Sequence, residues 1–272
     1  QGITRLFIVP AALQMVVQHP RAKDTDMSAV KYVMYGAAPI PLDLLREAVQ
    51  TIPGAGFLQC YGMTETTGTI AMLPPEDHAL DGNQRMRSAG KAVPGAELKV
   101  IGEDGGELPC GEVGELICKS PSNMIGYWNL PDATRGALKD GWMHTGDAAY
   151  MDEDGYVYIQ DRIKDMIISG GENVYPAQVE SAIYGHPAVS EVAVIGVPDE
   201  TWGEAVKACV VPKPGTTVDP DDIIAFTRER LAGFKVPKTV EVIDAMPRNP
   251  SGKILRRELR APFWEGRDRQ VN

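Results

Sequence analysis

The pattern of apolar runs changes twice along this chain, and those changes limit what it can fold into. Up to about residue 75, strand-like runs at Arg5 to Val9, Ala29 to Tyr35 and Gly56 to Cys60 alternate with helical ones. Pro41 to Gln50 is the clearest helix: Leu42, Leu45, Ala48 and Val49 share a face, and Pro41 suits a first turn. Such alternation predicts an α/β layer. From about Arg87 to Gln160 the runs are short and joined by glycine turns: Glu97 to Ile101, Gly114 to Lys119 and Gly155 to Gln160, with Asp154-Gly155 a hairpin signal. Beyond them come a helix over Pro176 to Tyr184, strands at Val189 to Val197 and Ala205 to Val211, and a loop over Lys213 to Pro220. A second helix follows, capped by Asp219, with Pro220 in its first turn and Gly233 past its end. This last third predicts a small α+β domain able to fold alone.

At 272 residues, 43% apolar and 24% charged, the chain suffices for one large or two ordinary cores. A net charge of −10 argues against a nucleic-acid footprint and against electrostatic attachment to anionic membrane. No apolar run approaches the ~18 residues of a membrane span. Cys60, Cys110, Cys118 and Cys209 show neither metal-ligand spacing nor a paired pattern, which predicts reduced thiols in a cytoplasmic protein. Peripheral attachment to a membrane and a homodimer stay open. Met63 reads as a packing residue, Trp128 and Trp142 as packing for the middle region, and His144 as a hydrogen-bonding residue.

Several short segments carry chemistry. In Pro247-Arg248-Asn249-Pro250-Ser251-Gly252-Lys253 the prolines, Asn and Gly fix a turn that delivers one lysine, suited to charge building up between a carboxylate and a phosphate. Tyr61-Gly62-Met63-Thr64-Glu65 sets hydroxyls and a carboxylate in a turn running to Gly68, a pattern that suits phosphate and Mg²⁺. His144-Thr145-Gly146-Asp147 puts an acid after a glycine turn, and Asp161-Arg162-Ile163-Lys164-Asp165 follows; a carboxylate and an Arg can share a ribose. Ser169-Gly170-Gly171-Glu172-Asn173 offers backbone bare enough for a ligand to pass close by. Arg256, Arg257 and Arg260 read as an exposed basic helix face.

In this order and at these spacings the segments resemble the signature motifs of the adenylate-forming superfamily, and within it the fatty acyl-CoA synthetases. Tyr35-Gly36-Ala37-Ala38-Pro39, Gly114-Glu115-Leu116, Gly126-Tyr127-Trp128 and Gly233-Phe234-Lys235-Val236-Pro237 are similar to further family segments. The resemblance implies an α/β part and a distorted β-barrel part of a large domain, over 1–75 and 76–161. A mobile α+β C-terminal domain over 162–272 would turn on a hinge near Lys164. It also implies a two-step reaction joining a carboxylic acid to coenzyme A with ATP and Mg²⁺. Gly36, Ala37 and Ala38 would line the adenine and acyl side, Tyr61 beside Gly62 would stack on adenine, Thr64 would bind phosphate and Glu65 Mg²⁺. Asp147 would bind the ribose with Arg162 beside it. Lys253 would bridge carboxylate and α-phosphate, and Ser169, Gly170, Gly171 and Glu172 would border the pantetheine tunnel.

Rival readings are an adenylation domain loading a carrier protein, a luciferase-like or aryl-CoA enzyme, and a non-catalytic nucleotide- or CoA-binding module. The wording around Lys253 and Gly171, with no carrier domain after Asn272, favours free coenzyme A and a fatty acid. Gln1 is not a start methionine, and the family's phosphate loop would lie upstream of every segment named. The acidic run Gly102 to Glu107 would repel phosphate and reads as a hairpin turn. The expectation is therefore the C-terminal half of a longer enzyme, inactive alone.

Overall fold

A computed structural model of the chain describes residues 2–80, 84–250 and 252–266. It divides into two compact units, residues 1–160 and 161–272. Ser251 of the lysine segment lies outside the described residues.

The first unit opens with a sheet ordered β1 (Arg5–Ile8), β2 (Tyr32–Gly36), β3 (Gly56–Met63), β4 (Gly68–Leu73) and β5 (Lys91–Ala92). The first three strands are parallel, since helices α1 (Pro10–Val17) and α2 (Leu42–Thr51) supply the crossovers that parallel pairing needs. Val33, Tyr35, Leu45 and Phe57 are buried in its core. Pro41 is the N-cap of α2 and not its first helical residue, keeping an extended ψ of 136°. The buried face is accordingly Leu44, Leu45 and Ala48, where Leu42 and Val49 were expected beside Leu45 and Ala48.

A second sheet runs β10 (Val157–Arg162), β9 (Trp142–Met151), β7 (Gly114–Lys119), β6 (Glu97–Ile101), with β8 (Leu138–Lys139) on β9 after α3 (Pro131–Ala137). Tight turns occur at both expected places: the Gly105 and Gly155 amides donate to Gly102 O and Asp152 O, each at 3.0 Å. Val100, Leu116, Ala149 and Val157 form the core, and Tyr61 of β3 packs against them. Trp128 does not pack this core. It is 88% exposed, and Trp142 is half-buried with Lys99 and Lys119 over its ring.

In the second unit the order is β12 (Glu172–Val174), β11 (Ile167–Ser169), β14 (Gly203–Pro212), β13 (Val189–Asp199), with β15 (Thr239–Val242) parallel to β14. Both faces are covered. Val192 and Val194 of β13 join Val179 and Ile183 of α4 (Pro176–Tyr184) and Ile223 of α5 (Pro220–Arg228), whereas Ala193 and Ile195 meet Met246, Ile254 and Leu259. Each fully buried valine or isoleucine among them stabilises the unit by about 1.5–3 kcal/mol, and a strand buried on both faces reads as an unbroken apolar run. Asp219 caps α5 as expected, its side chain accepting the Asp221 amide. The helix stops before Gly233, because the Arg230 and Leu231 amides both converge on Thr227 O; Gly233 opens a separate turn, Gly233–Lys235. Helix α6 (Arg256–Trp264) follows the Lys253 segment.

Candidate functional site

Two irregular strands build the first part of the site. Between β3 and β4, Tyr61 pairs with Ala71 but Gly62 with Thr69, so β4 carries one extra residue there. A Cβ on Gly62 would lie 1.7 Å from Gly68 O, so only glycine allows this approach. Between β7 and β9, Ile117 pairs with His144 and Glu115 with Ala148, so β9 advances four residues while β7 advances two. The Gly146-Asp147 step is therefore a bulge inside a ten-residue strand, where the sequence suggested a turn. Gly146 takes φ +69° and gives its N–H to Glu115 Oε1 at 3.1 Å, while Thr145 Oγ1 donates to Leu116 O at 2.6 Å and accepts the Asp147 amide at 3.1 Å. Such bulges re-aim side chains. His144 has the hydrogen-bonding role expected of it, Nδ1 donating to Glu115 Oε2 at 2.8 Å.

The two irregularities bring Tyr61 and Asp147 together. The Tyr61 hydroxyl donates to Asp147 Oδ2 at 2.5 Å, and Asp147 is buried. Thr64 and Glu65 follow in a 3₁₀ turn, Thr64–Thr66, closed by Thr66 Oγ1, which bonds Met63 N, Met63 O and Gly68 O. Glu65 Oε1 accepts the Tyr127 hydroxyl at 2.8 Å, and Glu65 O the Met124 amide at 2.6 Å. Sequence reasoning noted Tyr127 in a motif without assigning it this contact. Gly36 ends β2 opposite Cys60. Ala37 beside it holds φ +66°, an uncommon conformation for a non-glycine residue that recurs at ligand sites; Ala38 is half-buried.

The second unit carries the remaining candidates on turns. Gly170 and Gly171 join β11 to β12 as a two-residue hairpin, both at positive φ (+62° and +84°), as a mirror-image turn requires. Ser169 is buried and Glu172 exposed; the Gly170 amide bonds Trp202 O at 2.9 Å. Lys164 lies in the 3₁₀ turn Ile163–Asp165, after Arg162 ends β10. Lys253 stands on a small hairpin: its amide donates to Asn249 Oδ1 at 2.9 Å, the Gly252 amide to Asn249 O at 2.9 Å, and Arg248 bridges to Ile254. The lysine is exposed, and among the described residues its ammonium makes no ion pair.

An ionic cluster in this unit went unread. Arg256 grips Glu180 through Nε and Nη2 at 2.7 to 3.1 Å and lies 3.6 Å from Asp161; Arg260 reaches Asp165 at 3.2 Å. Arg256 and Arg260 are thus half-buried partners of carboxylates, and only Arg257 keeps the exposed face expected of all three. Asp161 accepts the amides of Arg162 and Ala177, each at 2.7 Å, the latter a donor of the first turn of α4 that no intrahelical acceptor serves. Burial pushes the Asp161 carboxyl up to about 6, against the pull of Arg256.

Residues 1–128 match the family model for an AMP-binding enzyme, and residues 178–253 that for the AMP-binding enzyme C-terminal domain. The fatty acid–[acyl-carrier-protein] ligase ScoC of Streptomyces coeruleorubidus is 49% identical over 271 residues, 100% of this chain and 52% of its own length. The medium/long-chain-fatty-acid–CoA ligase FadD8 of Mycobacterium tuberculosis is 42% identical, covering 100% of this chain and 48% of its own. Among solved structures, ATP-bound MatB from Rhodopseudomonas palustris superposes with a TM-score of 0.86 at 38% identity over 96% of this chain and 51% of that one. The amide bond synthetase McbA of Marinactinospora thermotolerans gives 0.88 at 37% identity over 96% and 53%. The chain spans about half the length of the curated relatives it matches. With these family models over residues 1–128 and 178–253 and an adenylate-forming fold matched over 96% of its length, this chain belongs to the AMP-binding enzymes.

Proposed function

We propose that the protein is an ATP-dependent acid–thiol ligase that activates a carboxylic acid, of fatty-acid type, and passes it to coenzyme A. The meeting of Tyr61 and Asp147, drawn from segments 86 positions apart, carries the reading. An aromatic face beside a buried carboxylate suits a nucleoside, the ring stacking on adenine and the acid accepting the ribose hydroxyls. Gly36, Ala37 and Ala38 line the adenine and acyl side, and Arg162 assists at the ribose. Glu65 is a lone carboxylate; among the described residues no cluster of three or more ligands could hold a metal by itself. That fits a Mg²⁺ that arrives with the nucleotide, since Mg²⁺ takes one or two carboxylates and fills its sphere with phosphate oxygens and water. Thr64 meets the same phosphates.

In the first step a carboxylate oxygen attacks the α-phosphorus, the α–β bridging bond breaks and pyrophosphate leaves. Lys253 lies between the two anions and offsets the charge that builds up there. In the second step the thiol sulfur attacks the acyl carbon, its proton passes to water and AMP leaves. The hairpin at Gly170 and Gly171 borders the path of the pantetheine arm, and turning about Lys164 exchanges one arrangement for the other. A carrier-protein thiol is the second reading, favoured by the 49% identity to ScoC. The test is acid-dependent ATP–pyrophosphate exchange by the protein at its full encoded length, followed by transfer to coenzyme A and to a phosphopantetheinylated carrier in parallel. No exchange with any aliphatic or aryl acid would overturn the proposal; transfer to the carrier alone would establish the second reading.

A further inference from the structure

The hydrogen bonds inside the Lys253 hairpin fix its shape but not its place in the unit. Met246 and Ile254 seat it on Ala193 and Ile195 of β13, and its orientation toward the segment around Lys164 depends on the chain leaving it, where three residues after Lys253 comes Arg256 in the first turn of α6. Its guanidinium meets Glu180 of α4 through three contacts, an arrangement that restricts both position and orientation in a way a single-point ammonium cannot. Glu180 is itself fixed, accepting the Val194 amide of β13 at 2.8 Å. Arg256 Nη1 faces Asp161 at 3.6 Å and Asp165 at 4.0 Å, and Arg260, one turn on, holds Asp165 at 3.2 Å. Those two aspartates bracket Lys164. The other side-chain ion pair at the hairpin, Arg248 with Glu191, is more exposed and worth less.

We propose that Arg256 is a positioning residue that locks the root of the Lys253 hairpin to the segment around Lys164, so that lysine and pivot travel as one body. The inference rests on the ligase reading for its catalytic consequence and on the geometry of residues 161–266 alone for the lock. Without the lock, turning at Lys164 would reach the ammonium through a loose joint, and a displacement of about 1 Å costs on the order of 100-fold in rate.

The experiment is Arg256→Gln in the protein at its full encoded length. Turnover in acid-dependent ATP–pyrophosphate exchange should fall on the order of 10- to 100-fold with KM for ATP within about twofold, while thioester formation from supplied acyl-adenylate falls far less. Placed on top of Lys253→Ala, the substitution should cost nothing further in exchange, because a residue that acts through the lysine has nothing left to act on. An additive loss in the double variant, or equal loss in both half-reactions, would overturn the proposal. Amide hydrogen exchange supplies an arm independent of activity: protection at Gly252 and Lys253 should drop while the β13–β14 ladder keeps its own, and unchanged protection there would equally overturn it. Absence of pyrophosphate exchange in the unsubstituted protein would instead count against the ligase reading, with the hydrogen-exchange arm still deciding the lock. Should Arg256→Gln fail to fold, Arg256→Lys keeps the charge, loses the fork and is judged by the same criteria.

Discussion

Asp147 and Lys253 are held in contrasting ways. Asp147 lies within a ten-residue strand, aimed by a bulge whose donors and acceptors are backbone groups, two neighbouring side chains and the Tyr61 hydroxyl. Lys253 stands on an exposed hairpin joined to the rest of its unit by Met246 and Ile254 packing on β13 and by arginines held among carboxylates. A group that recognises the same ligand in both steps gains from the stiffness of a sheet. A group needed in one step only belongs on a body that can carry it away, and that body must be rigid within itself. The contrast predicts that damage at Tyr61 or Asp147 weakens binding throughout the proposed reaction, whereas damage at Lys253 or at the Gly170-Gly171 hairpin separates its steps.

The largest test of that contrast is Lys253→Ala. Losing one preorganised charge contact should cost about 3–4 kcal/mol, two to three orders of magnitude, in adenylation, with thioester formation from supplied acyl-adenylate retained. Stopped-flow measurement of each half-reaction decides it, and equal damage to both would break the division of labour.

Asp161 tests the rigidity of the body proposed to move. Its folded-state carboxyl, near 6, lies above the ordinary value of 3.8, because burial disfavours the charge. Below about pH 4 both folded and unfolded chains carry the proton and no penalty arises; above about pH 6 both are ionised and the penalty is complete. The contribution is therefore present at low pH and lost as pH rises through 6. Urea unfolding should show the unsubstituted chain gaining on the order of 2 kcal/mol relative to Asp161→Asn between pH 7 and pH 4. A stability difference flat across that window would mean that the carboxyl titrates normally and the cluster is wet.

The pivot gives a smaller effect. Lys164→Pro fixes φ near −65° at a first-turn position, which proline tolerates, but forbids a wide change of φ there. Adenylation should be largely unchanged and thioester formation slowed by at least roughly tenfold, about 1.4 kcal/mol on the barrier. Wild-type thioester rates in single-turnover assays would move the pivot elsewhere.

Where punctuation was local, the fold was legible. Strands β6 and β7 and helix α4 were read to the residue because Gly114, Pro176 and the adjoining loops mark their ends. Strand β9 was missed because Gly146 reads locally as a turn, and only pairing with β7 makes it a bulge. Helix α6 was misread for a different reason. Arg256, Arg257, Glu258 and Arg260 dominate its sequence, whereas the helix is held by Leu259 packing against Ala193 and Ile195, by Trp264 Nε1 donating to Gly196 O, and by the carboxylates of Glu180 and Asp161, 76 and 95 positions from Arg256. The candidate residues were named from motifs. Which of them touch, as Tyr61 with Asp147 or Glu65 with Tyr127, is a property of sheet order that no segment encodes.

The smallest predicted effect bears on the recognition side of the contrast. Tyr61→Phe keeps the ring, and with it stacking and the contacts with Leu116 and Val157 of the second sheet, but removes the hydroxyl that serves Asp147. Because Asp147 keeps its backbone bond to Thr145 and its place in the bulge, the loss is one hydrogen bond to a carboxylate and not the site. AMP binding should weaken by about 1 kcal/mol, and up to about 3 if the carboxylate is left short of a donor. Both half-reactions should suffer alike, since the proposed reaction binds adenosine in each. Calorimetric titration with AMP measures the first, and parallel assays of adenylation and thioester formation the second. A variant that lost one step and kept the other would show that recognition, too, changes between the steps, and the contrast between a fixed half and a moving half would fall.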